Sequence, residues 1–169
     1  VTPWVAVFDH RDPTFRHQLT ADYKAHRPPA PDALVAQLPH LERLCRATRI
    51  PMLSVSGFEA DDVVAALAKT AAADGLDVRI CSKDKDIDQV LSDRIRTWDP
   101  GKHILRGPDD LLAEKGIRPD QVIDYLCMIG DSADNVPGVD GVGPKTASKL
   151  LEKYQTLDGI YAHLGELTT

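Results

Sequence analysis

Short apolar runs alternate with longer stretches of helical periodicity along the first half of the chain. The apolar runs occupy residues 4–8, 51–55 and 78–81, each bounded by polar residues. Such runs are typical of strands buried on both faces of a parallel sheet. Between them, apolar residues recur at helical spacing in 32–48, where Pro39 predicts a kink or break, and in 56–75. The alternation predicts an α/β fold with a mostly parallel sheet flanked by helices.

The second half of the chain changes to a hairpin followed by helices. Residues 95–98 and 103–105 flank an Asp-Pro-Gly-Lys sequence, which is typical of a hairpin. Helical patterns follow at 108–115, 119–129, 145–154 and 157–163. Residues 11–31 are basic, contain proline and lack an apolar face, so we predict a loop or arch there. We therefore predict an α/β core over 1–120, with the arch at 11–31, and a helical region over 121–169.

The acidic residues are concentrated in four groups. The chain has 169 residues, enough for one domain with a core, and a net charge of -6. Negative charge argues against a phosphate-backbone partner. Without eight grouped carboxylates the charge is -6 + 8 = +2, however, so the acidity is local. The eight are Asp9, Glu59, Asp61, Asp62, Asp84, Asp86, Asp131 and Asp134.

Three of these groups follow predicted strands, so one edge of the sheet would collect them. Carboxylates in one pocket repel each other unless a cation lies between them, and several divalent cations prefer oxygen ligands. Two such ions about 4 Å apart can activate a water and stabilise the leaving oxygen of a phosphodiester. Ordinary structural explanations stay open. Ser56 to Glu59 fits a capping box, and Asp61 and Asp62 fall in a first helical turn.

Residues 139–147 form a glycine-rich turn that opens a helix. Gly141 and Gly143 would let the backbone approach a phosphate, and Lys145 adds positive charge. The helix from Thr146 would direct the positive end of its dipole at the ligand. Such a contact to a duplex backbone carries no sequence preference. Pro144 excludes a nucleotide P-loop, and an ordinary helix connection is the alternative.

The predicted arch carries a cluster of basic residues with one aromatic. They are Arg11, Arg16, His17, Tyr23, Lys24, His26 and Arg27. This composition suits a single nucleic-acid strand, and it equally suits a solvated loop.

The cysteines and the hydropathy bear on the compartment. Cys45, Cys81 and Cys127 lack the spacing of a zinc or redox site, so we predict buried free thiols in a reducing compartment. No apolar stretch approaches membrane-spanning length. We therefore expect a cytoplasmic protein with no membrane partner.

Six motifs occur in a fixed order along almost the whole chain. They are Val7-Phe8-Asp9, Tyr23-Lys24-x-His26-Arg27-Pro28-Pro29, Glu59-Ala60-Asp61-Asp62-Val63, Asp84-Lys85-Asp86, Gly130-Asp131-Ser132-x-Asp134-Asn135-x-Pro137-Gly138 and Gly141-Val142-Gly143-Pro144-Lys145-Thr146-Ala147. Together they resemble the 5′ to 3′ exonuclease domain of bacterial DNA polymerase I, within the flap endonuclease family. The resemblance implies a PIN-like 5′ nuclease fold with a C-terminal helix-three-turn-helix element.

The resemblance also implies roles for individual residues. Two Mg²⁺ or Mn²⁺ ions would bind, one mostly at Asp9, Glu59, Asp61 and Asp62 and the other at Asp84, Asp86, Asp131 and Asp134. Tyr23 would stack on a base, while Lys24 and Arg27 would neutralise the scissile phosphate. DNA would also contact Arg16, Gly141, Val142, Gly143, Lys145 and Thr146. A monovalent cation would bind at the helix-three-turn-helix element.

The function implied by the resemblance is metal-dependent hydrolysis of DNA with a free 5′ end or flap, in replication and repair. A DNA polymerase in the same or another chain would be a partner. Alternative hypotheses are a protein that binds branched DNA without cutting it, and a phosphatase or RNA-cleaving nuclease. The family begins with another strand bearing a metal-binding Asp, and it continues beyond the position of Thr169 with more helices. We therefore expect a fragment that, alone, is unstable or weakly active.

Overall fold

The computed structural model describes residues 3–167, and the chain divides into two compact units, Val1–Val64 and Ala65–Thr169. In the first unit, β1 (Ala6–Val7) pairs in parallel with β2 (Met52–Leu53). The helices of this unit are α1 (Phe15–Leu19), α2 (Asp32–Val35), α3 (Leu38–Ala47) and the first turns of α4 (Ala60–Ala73). Parallel strands need a long crossover, and α1 to α3 lie within it.

The helical pattern at 32–48 is confirmed, but the break lies at residues 36–37 rather than at Pro39. Pro39 lies in the first turn of α3. The N–H groups of a first turn have no acceptor within the helix, so a proline is tolerated there. The apolar stripe of this segment is not a core face. No residue of α3 is buried, and Leu44 exposes 58% of its surface.

Part of the predicted arch is helical. α1 begins after Thr14, whose backbone N–H donates to Nδ1 of His17 at 3.2 Å. The backbone N–H of His17 donates in turn to the carbonyl of Thr14 at 3.1 Å. These local bonds stabilise a five-residue helix that has no apolar stripe, which is why hydrophobic periodicity did not predict it.

The second unit contains a three-stranded sheet followed by helices. β3 (Val78–Ile80) is parallel to β4 (Ile95–Asp99), and β4 is antiparallel to β5 (Ile104–Arg106), as predicted for the hairpin. A 3₁₀ turn over Lys85–Val90 joins β3 to β4. The helices are α5 (Pro108–Lys115), α6 (Val122–Ile129), α7 (Pro144–Tyr154) and α8 (Leu157–Ala162), with 3₁₀ turns at Pro119–Gln121 and Leu164–Glu166. All four predicted helical segments are confirmed.

The core of the second unit lies among its helices. Leu111, Ile117 and Leu151 are almost completely buried, and residues from α6 and α8 complete the cluster. Burying several large aliphatic side chains stabilises this unit by roughly 1.5–3 kcal/mol each. The core therefore fixes α6 and α7, and with them the loop and the glycine turn that join these two helices.

The three cysteines are free, as predicted, but the expected burial is wrong for two of them. Cys45 is half-buried, whereas Cys81 and Cys127 are exposed. Cys127 falls outside the buried stripe of α6, which consists of Val122, Tyr125 and Met128. None of the helices within residues 3–167 combines the length and apolar character that crossing a bilayer requires.

Candidate metal centre and phosphate-binding turn

Three carboxylates of the second unit converge. Asp86, Asp131 and Asp134 each place one oxygen within 4.8 Å of the others. Within the described part of the chain, this is the one group of three or more His, Cys, Asp or Glu side chains that meets this distance. The donors are all carboxylate oxygens, which Mg²⁺ and Mn²⁺ prefer. A typical zinc site uses nitrogen and sulfur donors instead.

Asp86 lies in the 3₁₀ turn that follows β3. Asp84 caps this turn, because its Oδ1 accepts the backbone N–H of Asp86 at 2.9 Å. Ile87 and Val90 are buried and hold the turn against the helices. Oδ1 of Asp86 is also buried, and it accepts no hydrogen bond from the residues that the structure describes. A buried carboxylate oxygen without a partner is costly, and a bound cation would satisfy it.

Asp131 and Asp134 lie on a loop that close backbone contact holds in place. Asp131 and Val136 exchange two backbone hydrogen bonds of 2.8 Å, which close the loop. Gly130 has φ +75°, and a Cβ atom there would lie 2.8 Å from the carbonyl oxygen of Val136 and closer still to the backbone of Gly138. Only glycine fits such an approach, so the sequence fixes the geometry of this loop locally.

The pKa values of this group reflect burial and mutual repulsion. Burial raises the pKa of Asp86, and the charges of Asp84, Asp131 and Asp134 raise it further, against the opposing charge of Lys85. Burial also opposes ionisation of Asp131, but Nζ of Lys85 lies 3.0 Å from its Oδ1 and holds the pKa of Asp131 below its ordinary value. The role of Lys85 as a counter-ion was not predicted. Its position between Asp84 and Asp86 was the available signal.

A second acidic group lies in the first unit, where arch residues contact it. Arg16 donates two hydrogen bonds to Asp62, of 2.7 and 2.8 Å. Glu59 accepts from Nζ of Lys24 at 2.7 Å and from the hydroxyl of Tyr23 at 2.9 Å. Arg16 and Lys24, two of the predicted arch cations, therefore contact Asp62 and Glu59, two of the predicted metal ligands of the first unit.

These contacts lower the pKa values of two carboxylates, as Lys85 does for Asp131 and in contrast to the raised pKa of Asp86. The hydrogen bond from Arg16 lowers the pKa of Asp62 and outweighs burial. Burial would raise the pKa of Glu59, but the hydrogen bonds from Lys24 and Tyr23 outweigh it and the pKa is lowered. Both carboxylates are thus stabilised in their ionised form by side-chain cations.

The capping of α4 differs from the sequence prediction. The backbone N–H of Glu59 donates to Asp62 at 3.0 Å, and the hydroxyl of Ser56 donates instead to Asp12 at 2.7 Å. Asp9, which follows β1, accepts the N–H of Ala60 at 2.7 Å. The alternative of a Ser56–Glu59 capping box is therefore not supported, because the side chain of Glu59 binds Lys24 and Tyr23 and that of Ser56 binds Asp12.

The remaining predicted residues of the first unit are close in sequence to this group. Tyr23 exposes 7% of its surface, its ring lies perpendicular to that of His17, and Nζ of Lys24 lies over its face, 4.9 Å from the ring centroid, so the ring is not open to a base in this structure. Arg27 is exposed and Asp61 is half-buried. The base-stacking role of Tyr23 and the convergence of all eight carboxylates on one site stay predictions.

The glycine turn is built as the sequence predicted. Gly141 has φ +75°, and Gly143 caps α7, which begins at Pro144. A Cβ atom at Gly143 would meet nothing within 4 Å, and the φ of −92° at this residue suits any amino acid. Lys145 and Thr146 are exposed at the start of the helix. The fold does not require glycine at 143, and the predicted phosphate contact at this turn stays a prediction.

We expect Asp86→Asn to raise the melting temperature of the metal-free protein. The amide carries no charge, so it removes the repulsion with Asp131 and Asp134 and the cost of burying an ion. Relief of about 1 kcal/mol corresponds to roughly 2–4 °C in a domain of this size. Thermal unfolding in chelator measures the effect, and exposed Asp93→Asn serves as the control. A lower melting temperature for Asp86→Asn than for the parent protein contradicts the repulsion.

We expect Tyr23→Phe to destabilise the protein by about 1–3 kcal/mol, because the variant loses a hydrogen bond to an ionised, half-buried carboxylate. Urea unfolding followed by circular dichroism measures the loss. Tyr161→Phe is the matched control, since Tyr161 exposes 63% of its surface. Equal stability of Tyr23→Phe and Tyr161→Phe would show that the contact with Glu59 contributes nothing.

Two solved structures with a similar fold are a flap endonuclease and the catalytic core of Rad2. A bacteriophage T5 flap endonuclease, described as a pseudo-enzyme-product complex with DNA and metal ions, superposes with a TM-score of 0.82 at 24% identity. That match covers 97% of this chain and 64% of the T5 chain. The catalytic core of Rad2 in complex with DNA substrate gives a TM-score of 0.60 at 18% identity, over 96% of this chain and 51% of the Rad2 chain. The predicted 5′ nuclease fold is confirmed.

Sequence relatives agree with these structures. DNA polymerase I of Thermus aquaticus is 44% identical over 163 residues, covering 96% of this chain but 20% of the polymerase. A 5′-3′ exonuclease of Aquifex aeolicus is 40% identical over 92% of this chain and 54% of its own length. The 5′-3′ exonuclease N-terminal resolvase-like domain matches residues 1–122, and the 5′-3′ exonuclease C-terminal SAM fold matches residues 117–169. The chain therefore belongs to the 5′-3′ exonuclease family.

Proposed function

We propose that the chain provides the catalytic and DNA-binding residues of a metal-dependent 5′ to 3′ exonuclease or flap endonuclease that hydrolyses DNA phosphodiesters. The observation that carries the proposal is the convergence of Asp86, Asp131 and Asp134, with a buried carboxylate oxygen that lacks a partner among the described residues. The names of the relatives support it, and so does the DNA in two of the similar structures. The chain spans about half or less of these sequence relatives, so the activity of the whole protein is part of the proposal.

The metal requirement follows from the donor set. Asp84, Asp86, Asp131 and Asp134 would hold one Mg²⁺ or Mn²⁺ ion, and Asp9, Glu59, Asp61 and Asp62 would hold the other. Bound ions of this kind activate a water for attack and stabilise the leaving oxygen. Lys85 already offsets part of the charge at Asp131, so the site binds a cation in competition with its ammonium group.

The remaining residues bind and orient the DNA. Gly141 and Gly143 give a phosphate access to backbone N–H groups at the start of α7, and Lys145 adds charge. Lys24 and Arg27 would neutralise the phosphate at the cut, and Arg16 would contact the DNA, with Tyr23 supporting Glu59 through its hydroxyl. We further propose a role in replication and repair in the cytoplasm, alongside a DNA polymerase in the same or another chain.

The central test is cleavage of a labelled DNA flap. We expect the protein to release the 5′ flap in Mg²⁺ and to be inactive in chelator. Asp131→Asn should lower kcat by more than about 100-fold, because losing a metal ligand removes several kcal/mol of transition-state stabilisation. Exposed Asp140→Asn, on the same connection, is the control. Flap binding without turnover by the parent protein would instead establish a DNA-binding protein, and faster cutting of a matched RNA flap would establish an RNA nuclease.

A second test separates the glycine turn from the fold. Gly143→Ala should keep the parent melting temperature, because the added methyl group meets no atom of the protein. It should weaken binding to duplex DNA by about 10-fold, since the methyl group stands where a phosphate approaches and the loss of one good phosphate contact is worth roughly 1.4 kcal/mol. Gly165→Ala, also in open space, is the control. Equal duplex affinity for the two variants in fluorescence anisotropy would remove the glycine turn from the DNA interface.

A further inference from the structure

Asp88 is the one buried acidic residue among those described, and the proposed mechanism does not use it. It exposes 3% of its surface and lies two residues after Asp86 in the same 3₁₀ turn. Arg106 donates to both of its oxygens, through Nη1 and, at 3.3 Å, through Nη2. Nζ of Lys115 donates to Oδ2 at 2.8 Å. The buried Asp88 and the half-buried Arg106 and Lys115 thus form one charged network, the Asp88 network.

The Asp88 network connects the 3₁₀ turn over Lys85–Val90, the proposed metal-binding turn, to two other elements. Arg106 is the last residue of β5, and Lys115 is the last residue of α5. The guanidinium of Arg106 is itself oriented by Glu114, which accepts from Nε at 2.7 Å. The turn that carries Asp86 is therefore bonded, through a single side chain, to both the sheet and a core helix.

The network also reaches the helix that follows the glycine turn. The hydroxyl of Ser148, on α7, donates to the backbone carbonyl of Lys115 at 2.6 Å. Gly116, which follows, has φ +68° and lies against the side chain of Ser148. Lys115 thus contacts Asp88 through its side chain and α7 through its backbone. These contacts link the carboxylate centre to the phosphate-binding turn within one unit.

A purely stabilising role does not explain this network. Burying charges costs several kcal/mol per ion, and well-packed apolar residues of similar volume often stabilise a protein as much or more. Apolar packing, however, has no direction, whereas a paired guanidinium and ammonium hold a carboxylate in a defined orientation. A 3₁₀ turn has weak internal hydrogen bonds, and three converging carboxylates push it outward. An external anchor is needed to keep Asp86 facing Asp131 and Asp134.

From these contacts we infer that Asp88, Arg106 and Lys115 are positioning residues, which hold Asp86 in the metal-binding geometry and fix its distance from the phosphate-binding turn. The inference rests on the proposed function for its catalytic consequence. Its metal-binding consequence is independent of DNA cleavage. Residues that orient metal ligands from outside the coordination sphere typically change metal affinity or activity by about 10- to 100-fold.

The first experiment measures metal binding alone. Mn²⁺ affinity is determined by electron paramagnetic resonance on the parent protein and its variants, well below their melting temperatures. We expect Asp88→Asn to weaken Mn²⁺ binding by about 10- to 100-fold. Asp120→Asn is the matched control, since it removes a carboxylate from the exposed ion pair with Arg118 and leaves the Asp88 network intact, and it should keep the parent affinity.

A second pair of variants applies if Asp88→Asn does not fold. Lys115→Met should weaken Mn²⁺ binding, and Lys115→Arg, which restores a cation at this position, should recover most of it. If folded Asp88→Asn or folded Lys115→Met binds Mn²⁺ as tightly as the parent protein does, the inference is overturned, even where the melting temperature of the variant falls. Such a result would leave the network as a stabilising ion pair.

The third experiment tests the link to the glycine turn. Ser148→Ala removes the hydrogen bond to Lys115 and leaves the carboxylates intact. It should keep the parent Mn²⁺ affinity but lower kcat on the DNA flap, or spread the cuts over neighbouring phosphates. If Ser148→Ala cuts the flap at the parent site with the parent kcat, the proposed link between the carboxylates and the glycine turn is overturned. A parent protein that binds Mn²⁺ but cuts no flap refutes the proposed function instead, while the metal-binding result for Asp88→Asn still stands.

Discussion

Repulsion among Asp86, Asp131 and Asp134 is the constraint around which the second unit is organised. Three carboxylates within 4.8 Å of one another oppose folding unless other interactions hold them together. Two local devices do so. The contact between Gly130 and Gly138 closes the loop that carries Asp131 and Asp134, and the buried 3₁₀ turn holds Asp86. The helical core supplies the free energy, and Lys85 offsets part of the charge.

The two units treat their carboxylates differently. In the first unit, Arg16 and Lys24 pair with Asp62 and Glu59, and the pKa values of both acids are lowered. In the second unit, the pKa of Asp86 is raised, because burial and neighbouring acids outweigh Lys85. A cation gains most where negative charge is least compensated. Of Asp62, Glu59 and Asp86, Asp86 is therefore the acid whose charge the protein's own cations compensate least.

Hydrophobic periodicity predicted most elements because each has a local signal, such as the apolar runs of β1 to β3 or the stripe of α6. Long-range partners carried no such signal. Tyr23 and Glu59 are 36 residues apart, and Arg16 and Asp62 are 46 apart, so neither the burial of Tyr23 nor the replacement of the capping box was predictable. The burial of Asp88 was equally unpredictable, since its partners Arg106 and Lys115 come from β5 and α5. The sequence motifs predict a metal-binding role for these acids but do not show what holds them in place.

The glycines show how a fold requirement differs from a ligand requirement. Gly130 is required by backbone contact and Gly141 by its positive φ, so each would be glycine in this fold whether or not DNA binds. Gly143 has neither an unusual φ nor a close neighbour. A glycine there costs conformational entropy on folding and adds no packing. A phosphate at the start of α7, as we propose, would offset this cost, and the exposed Lys145 suits such a ligand.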